Sequence, residues 1–232
     1  MSDVELQKKI DSFLESAYKK FIVRDYNSAI RELKAAEVLD RENPEILYNL
    51  GINYCRMGLY ETAIKYLQQL LKLQFSFIDS IAVKKILSFA LIRNNQCAES
   101  LASIDDVLKL VPTDVAAMNM KGFCYEMLGR YQDAITQYSE IIDIDGDNYN
   151  ALNSLSYIIS RTGGDLRMSL RYAQKAYGAD HQNPAYLDTL GYVYLKMNNL
   201  EMAEKLFKEA IKFSPFSQEI IDHLLELKKC KS

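Results

Sequence analysis

The residues with which this chain could do chemistry are few: two histidines, four cysteines and one dense run of aspartates. His181 falls in a stretch expected to be a loop, and His223 in an amphipathic C-terminal segment. Neither has a Ser, Cys or second metal ligand at a spacing that would build a nucleophilic triad or a zinc site. Cys55, Cys97, Cys124 and Cys230 lie far apart with no CxxC pair, which reads as reduced thiols in or near a helical core. Asp143-Ile144-Asp145-Gly146-Asp147 has the carboxylate density of a calcium loop. Its order is not that of an EF-hand, and no Glu closes it at the twelfth position. The simpler reading is a capped turn. Gly163-Gly164-Asp165 is not followed by the Lys and Ser/Thr of a phosphate loop, so it too reads as a turn between helices. The expectation is a protein without catalytic, cofactor or metal residues, and not an enzyme.

Bulk composition narrows the partners. Of 232 residues, 49% are hydrophobic, which is enough for a continuous core. The net charge is −3, so the basic excess that phosphate binding demands is missing and nucleic acid is not expected. No stretch of 18 apolar residues occurs, so no membrane span is expected. Met1-Ser2-Asp3-Val4-Glu5 carries no basic segment followed by an apolar run. No signal peptide is therefore read, and a cytoplasmic protein is expected.

The elements that must position any functional side chain are helices. Only 9 glycines and 4 prolines punctuate the chain, and no run alternates with period two, so no strands are expected. A repeat is visible instead. Leu50-Gly51-Ile52-Asn53-Tyr54, Lys121-Gly122-Phe123-Cys124-Tyr125 and Leu190-Gly191-Tyr192-Val193-Tyr194 correspond. Each leads into Met57-Gly58, Leu128-Gly129 or Met197-Asn198, then Tyr60, Tyr131 or Leu200, then Ala63, Ala134 or Ala203. Gly and Asn at the middle of each unit end a first helix. Asn43-Pro44 and Asn183-Pro184 mark unit boundaries, with Pro in a helix first turn. Small residues recur where two helices cross closely.

This pattern resembles the tetratricopeptide repeat, whose period is 34 residues. The family places bulky residues at repeat positions 4, 7 and 24, small ones at 8, 20 and 27, an aromatic at 11 and Pro at 32. The second repeat matches through Leu47, Leu50, Gly51, Tyr54, Ala63 and Leu67. The fourth does so through Met118, Gly122, Tyr125, Ala134 and Tyr138, and the sixth through Leu187, Leu190, Gly191, Tyr194, Ala203, Phe207, Ala210 and Pro215. The first is frayed, with Phe13, Ala17, Ala29, Leu33 and Ala36 in place but Lys20 at position 11. The third substitutes Ser88, Ser100 and Val107 and sits late, because Gln74-Phe75-Ser76-Phe77 lengthens the preceding loop. The fifth carries Ser156 and Ser169 and one inserted residue at Gly163-Gly164-Asp165.

The resemblance implies an all-α fold: a right-handed superhelical solenoid of six helix-turn-helix pairs and a capping helix, without strands. A single solenoid over 1–232 is expected, with repeats at about 10–43, 44–77, 81–114, 115–148, 149–183 and 184–217 and a cap at 216–229. The cap's apolar face would be Ile220, Ile221, Leu224, Leu225 and Leu227. Repeats five and six are similar to those common in bacterial members, which implies a bacterial cytosolic source.

The family's groove is lined by positions 2, 5, 9, 12 and 13 of each first helix. Position 9 reads Tyr18, Ile52, Phe89, Phe123, Tyr157 and Tyr192, and position 13 includes Arg56, Arg93, Arg161 and Lys196. Tyr48, Lys85, Asn119 and Asn153 at position 5 complete the candidate partner-binding set. Aromatics at helical spacing serve either as a binding surface or as packing, and basic residues either as partner contacts or as a solvated face. The expected function is a scaffold or adaptor that holds a segment of a partner protein with apolar or aromatic anchors and acidic residues. Self-assembly into a homodimer is the alternative, and an RNA-binding helical repeat a third. The carboxylate clamp by which some members hold heat-shock chaperones is not expected. Asn49 fits it, but Leu14, Tyr18, Ala82 and Leu87 do not.

Overall fold

The computed structural model describes residues 2–73 and 78–231. The lengthened loop expected at Gln74–Phe77 lies outside the described residues. Among those described there are thirteen α-helices and no strand. The helices are α1 (Asp3–Ile22), α2 (Tyr26–Leu39), α3 (Pro44–Arg56), α4 (Tyr60–Lys72), α5 (Ser80–Arg93), α6 (Cys97–Leu110), α7 (Val115–Met127), α8 (Tyr131–Ile144), α9 (Tyr149–Arg161), α10 (Leu166–Ala179), α11 (Pro184–Lys196), α12 (Leu200–Phe213) and α13 (Gln218–Lys231). They form two compact units, Met1–Met120 and Lys121–Ser232, and the division falls within α7.

In the first unit each of α1 to α5 packs on the next, α5 packs on α6, and α3 also touches α5. In the second unit α8 to α13 pack in sequence, and α9 touches α11, which touches α13. Odd-numbered helices are thus neighbours of one another as well as of their even-numbered partners. Leu47, Leu67, Leu70, Val83 and Leu87 form one core of the first unit, beside a cluster of Ile10, Leu33, Ile46 and Leu50. Leu187, Leu190, Val193, Leu206 and Ile220 form a core of the second.

One turn is built six times. The residue that leaves each odd helix from α1 to α11 has positive φ: Arg24, Gly58, Asn95, Gly129, Gly163 and Asn198. The next amide donates back across the turn, as Leu59 N to Tyr54 O and Asn199 N to Tyr194 O, each within 3.0 Å. This satisfies a terminal carbonyl and reverses the chain. Glycine and asparagine tolerate the left-handed region, and only Arg24 takes it with a long side chain. Helix starts are also capped. Asn43 Oδ1 accepts from the Glu45 and Ile46 amides, and Asn183 Oδ1 from the Ala185 amide, each with Pro in the first turn.

The small residues explain how closely paired helices approach. A Cβ on Gly51 would stand 2.7 Å from Leu67, on Gly122 2.7 Å from the Tyr138 ring, and on Gly191 2.8 Å from Phe207. The bulky residue of the second helix thus lies on the bare backbone of the first. Where serine replaces glycine or alanine, the pair is joined by hydrogen bonds. Ser156 Oγ donates to Ser169 O at 2.8 Å, Ser169 Oγ donates to Ser156 O at 2.8 Å, and Ser100 Oγ donates to Ser88 O at 3.1 Å. All four serines are fully buried, and these bonds offset the cost of burying the hydroxyls. The frayed first repeat uses its Lys20 in an ion pair with Glu32 of α2.

The C-terminal helix differs from expectation on one face. Ile220 and Leu227 are buried, but so is His223, while Leu225 is 53% exposed. The polar residue faces inward because α11 offers it a buried carboxylate.

These contacts set a test. Gly122→Val should cost roughly 1–3 kcal/mol, since the Tyr138 ring is buried and has no room to withdraw. Gly178→Ala, where an added Cβ meets nothing within 4 Å, should instead gain up to about 1 kcal/mol from helix propensity. Urea denaturation of the two variants beside the parent measures both.

Candidate functional site

The first unit holds a cavity of about 600 Å³ between α3 and α5. Ile52, Cys55 and Arg56 line it from α3, and Ala82, Lys85, Ile86 and Phe89 from α5, with Tyr60 at the start of α4. Phe89 is 45% exposed and meets Tyr60 edge-on, with ring centroids 6.1 Å apart. Lys85 pairs with Asp114 at 2.8 Å, whereas Arg56 is exposed and forms no ion pair among the described residues. Burial pushes the Cys55 thiol up to about 11, with Arg56 opposing, so it remains protonated at neutral pH. The cavity is therefore an apolar and aromatic trough with an available guanidinium at its rim.

The second unit holds a smaller cavity of about 150 Å³. Phe123 and Glu126 of α7, Asn153, Ser154 and Tyr157 of α9, Ala185, Asp188 and Thr189 of α11, and Glu219 of α13 line it. Behind it the imidazole of His223 is locked. Its Nδ1 lies 2.9 and 3.0 Å from the two Asp188 carboxylate oxygens, and Tyr192 and Phe207 rings lie against it at 4.5 and 5.6 Å. Its Nε2 is 3.5 Å from the Tyr157 hydroxyl. Burial, together with the Glu219 carboxylate, raises the Tyr157 phenol above its ordinary range, against Arg161. Burial and then Glu219 push the Glu126 carboxyl up to about 7, again against Arg161.

The position-9 residues do not share one environment. Tyr18 (62% exposed), Phe89 and Phe123 are open, and Ile52 and Tyr157 are half-buried. Tyr192 is 6% exposed and packs with Leu195, Phe207 and Leu227, which is the packing role rather than the groove role among the two open to these aromatics. His223 of the cap closes over it. Tyr18 borders a separate recess with Glu15, Glu45 and Asn49. Tyr48 is half-buried against the first-unit core, and the Asn119 amide donates to Val115 O. The basic residues are largely engaged. Arg93 Nε donates to the Tyr60 hydroxyl at 3.3 Å with its guanidinium over that ring, Arg161 lies over Tyr131 and Tyr157, and Lys196 pairs with Glu226 at 2.7 Å.

Sequence reading missed the acidic lining of the smaller cavity. Glu126 and Asp188 occupy repeat positions 12 and 5, both groove positions, so a signal was present for them, whereas Glu219 lies on the capping helix beyond the sixth repeat. Each of the first two is the single acidic residue at its position among the six repeats, so no recurring series marks it. The aspartates at 143–147 behave as a turn. Asp145 Oδ1 accepts from the Asp147 amide, and Lys175 pairs with Asp147 at 2.9 Å. His181 is exposed and lies against Tyr177 at 4.4 Å.

The raised Glu126 carboxyl has a stability consequence. An unfolded Glu ionises near 4.5, the folded one at about 7, so native stability falls as pH rises between those values and is flat above. Glu219, Arg161 and Tyr138 are the charged or titratable neighbours that share its field. Glu126→Gln should be more stable than the parent by roughly 1–3 kcal/mol at pH 8 and no different at pH 4. An equal gain at both pH values would assign the effect to packing.

Comparison with known proteins fixes the family. Tetratricopeptide-repeat profiles match residues 44–76, 90–149 and 185–217, together more than half the chain. DnaJ homolog subfamily C member 3 of Rattus norvegicus is 25% identical over 200 residues, covering 79% of this chain; the match spans 37% of that protein's length. A tetratricopeptide repeat protein from Parabacteroides merdae superposes with a TM-score of 0.81 at 17% identity, over 97% of this chain and 87% of that one. YrrB, described as a TPR protein with an unusual peptide-binding site, superposes with a TM-score of 0.54 at 16% identity, over 94% and 96%. No helix among the described residues is long and apolar enough to cross a membrane. With the turn repeated six times and the small residues meeting bulky ones between paired helices, the chain belongs to the tetratricopeptide-repeat family.

Proposed function

We propose that the protein is a non-catalytic adaptor whose first-unit cavity holds a segment of a partner protein. The cavity between α3 and α5 carries this reading. Its size of about 600 Å³ suits one or two bulky side chains, and four of the expected groove residues, Ile52, Arg56, Lys85 and Phe89, line it. Tetratricopeptide-repeat proteins in general mediate protein–protein interactions, which supports the class of function. An apolar or aromatic anchor from the partner would fill the trough, and a carboxylate beside it would meet Arg56 in a bidentate pair. Arg93 and Arg161 contribute less to recognition, because their guanidiniums already lie on tyrosine rings. A bacterial setting belongs to this reading and rests on the resemblance alone.

The paired change Phe89→Ser and Arg56→Glu tests it. Arg56 is exposed and Phe89 is 45% exposed against Tyr60, so the double variant should lose no more than about 2 kcal/mol and remain folded. Loss of an anchor and reversal of a charge should weaken capture of the partner in pull-downs at least about tenfold. Capture at parental strength by a folded double variant would contradict the assignment of this cavity.

A further inference from the structure

We propose that the small cavity of the second unit is a lysine pocket, built to take the ammonium group of a lysine on a partner protein. The site is distinct from the first-unit cavity and opposite to it in charge. Three carboxylates from three helices converge on it: Glu126 from α7, Asp188 from α11 and Glu219 from α13. Asn153 supplies an independent sign of an absent donor. It lines the same cavity, and its Oδ1 is buried with no hydrogen-bond partner among the described residues. A buried acceptor left unpaired is costly, and a ligand that brings N–H groups removes that cost.

The chemistry selects the ligand. The groups converging on the cavity are carboxylates, an amide oxygen and hydroxyls, so a donor-rich cation complements it. Phe123 and Tyr157 offer ring faces to an alkyl stem or to the cation itself. The acceptors come from separate helices, which suits the three diverging donors of an ammonium. The cavity, about 150 Å³, is small for a planar guanidinium with its five donors, whereas a compact ammonium fits it. Asp188, Glu219 and His223 also bring ligand atoms within 4.8 Å of one another, so the titration below includes zinc as the competing ligand. Burial first and Glu219 second disfavour a charged Glu126, with Arg161 opposing, and a bound cation would add to that opposition.

Amide-resolved NMR titration of the full chain tests the proposal with small probes and needs no natural partner. N-acetyl-lysine methylamide should shift the resonances of Glu126, Asn153, Thr189 and Glu219 with a dissociation constant of about 1–10 mM. N-acetyl-norleucine methylamide, which keeps the stem without the charge, should leave them in place. Glu219→Gln, at an exposed position that leaves the fold intact, should weaken the lysine response at least about threefold. No lysine response, or an equal response to norleucine, would overturn the proposal. So would an arginine probe binding as tightly as lysine, or micromolar zinc moving the same resonances and displacing the lysine probe. The first-unit variants leave this titration unchanged, so failure of one reading is separate from failure of the other.

Discussion

Everything else in this protein depends on how closely the two helices of a pair approach. Gly51, Gly122 and Gly191 leave bare backbone where Leu67, Tyr138 and Phe207 must lie, and a single added carbon would stand within 2.8 Å of each. That distance is far inside van der Waals contact, so the small residue is what permits the pairing. The six left-handed turns then bring each pair into register without a longer loop. Neither feature performs a function. Together they leave one face of each odd-numbered helix unpaired with its even partner, and the two cavities described above are lined largely from that face.

The cavities differ because the residues on that face are unconstrained by the pairing. In the first unit they are mostly apolar and aromatic, with Lys85 held by Asp114 and with Arg56, which forms no ion pair among the described residues. In the second they are acidic, with a buried Asp188–His223 pair beneath. The cap helix contributes to the second site as well as covering the core, since Glu219 and His223 both come from it. A helix whose ordinary role is to solvate the end of a repeat array here supplies two polar groups and shields Tyr192. Stacking on tyrosines also sorts the basic residues. Arg93 and Arg161 are held by rings and hydroxyls, while Arg56 is left to meet something else.

The repeat was legible in the sequence because it is a packing rule expressed many times. The small residues at 51, 122 and 191 each stand seven residues before a turn residue, at 58, 129 and 198, and each has one physical purpose. Even the irregular repeats followed the rule by another means, with Ser156 and Ser169 bonding where a methyl would have touched. The sites were legible only in part. Ile52, Arg56, Lys85 and Phe89 do share a cavity, whereas Tyr192 looked equivalent to Tyr157 and is buried. That difference is set by His223, which lies 31 residues beyond Tyr192 and whose inward orientation depends on Asp188. A one-dimensional reading of position 9 contains no term for what the next helix brings.

Site-specific photo-crosslinking shows whether a partner segment lies in the trough between α3 and α5. A photoreactive phenylalanine analogue is placed at Phe89, at the trough, and in a second protein at Val38, which is 78% exposed on α2 and away from it. The account predicts a discrete protein adduct from position 89 that is absent from position 38, with the crosslinked peptide carrying an apolar residue next to an acidic one. Equal adducts from both positions, or an adduct from 38 alone, would contradict it.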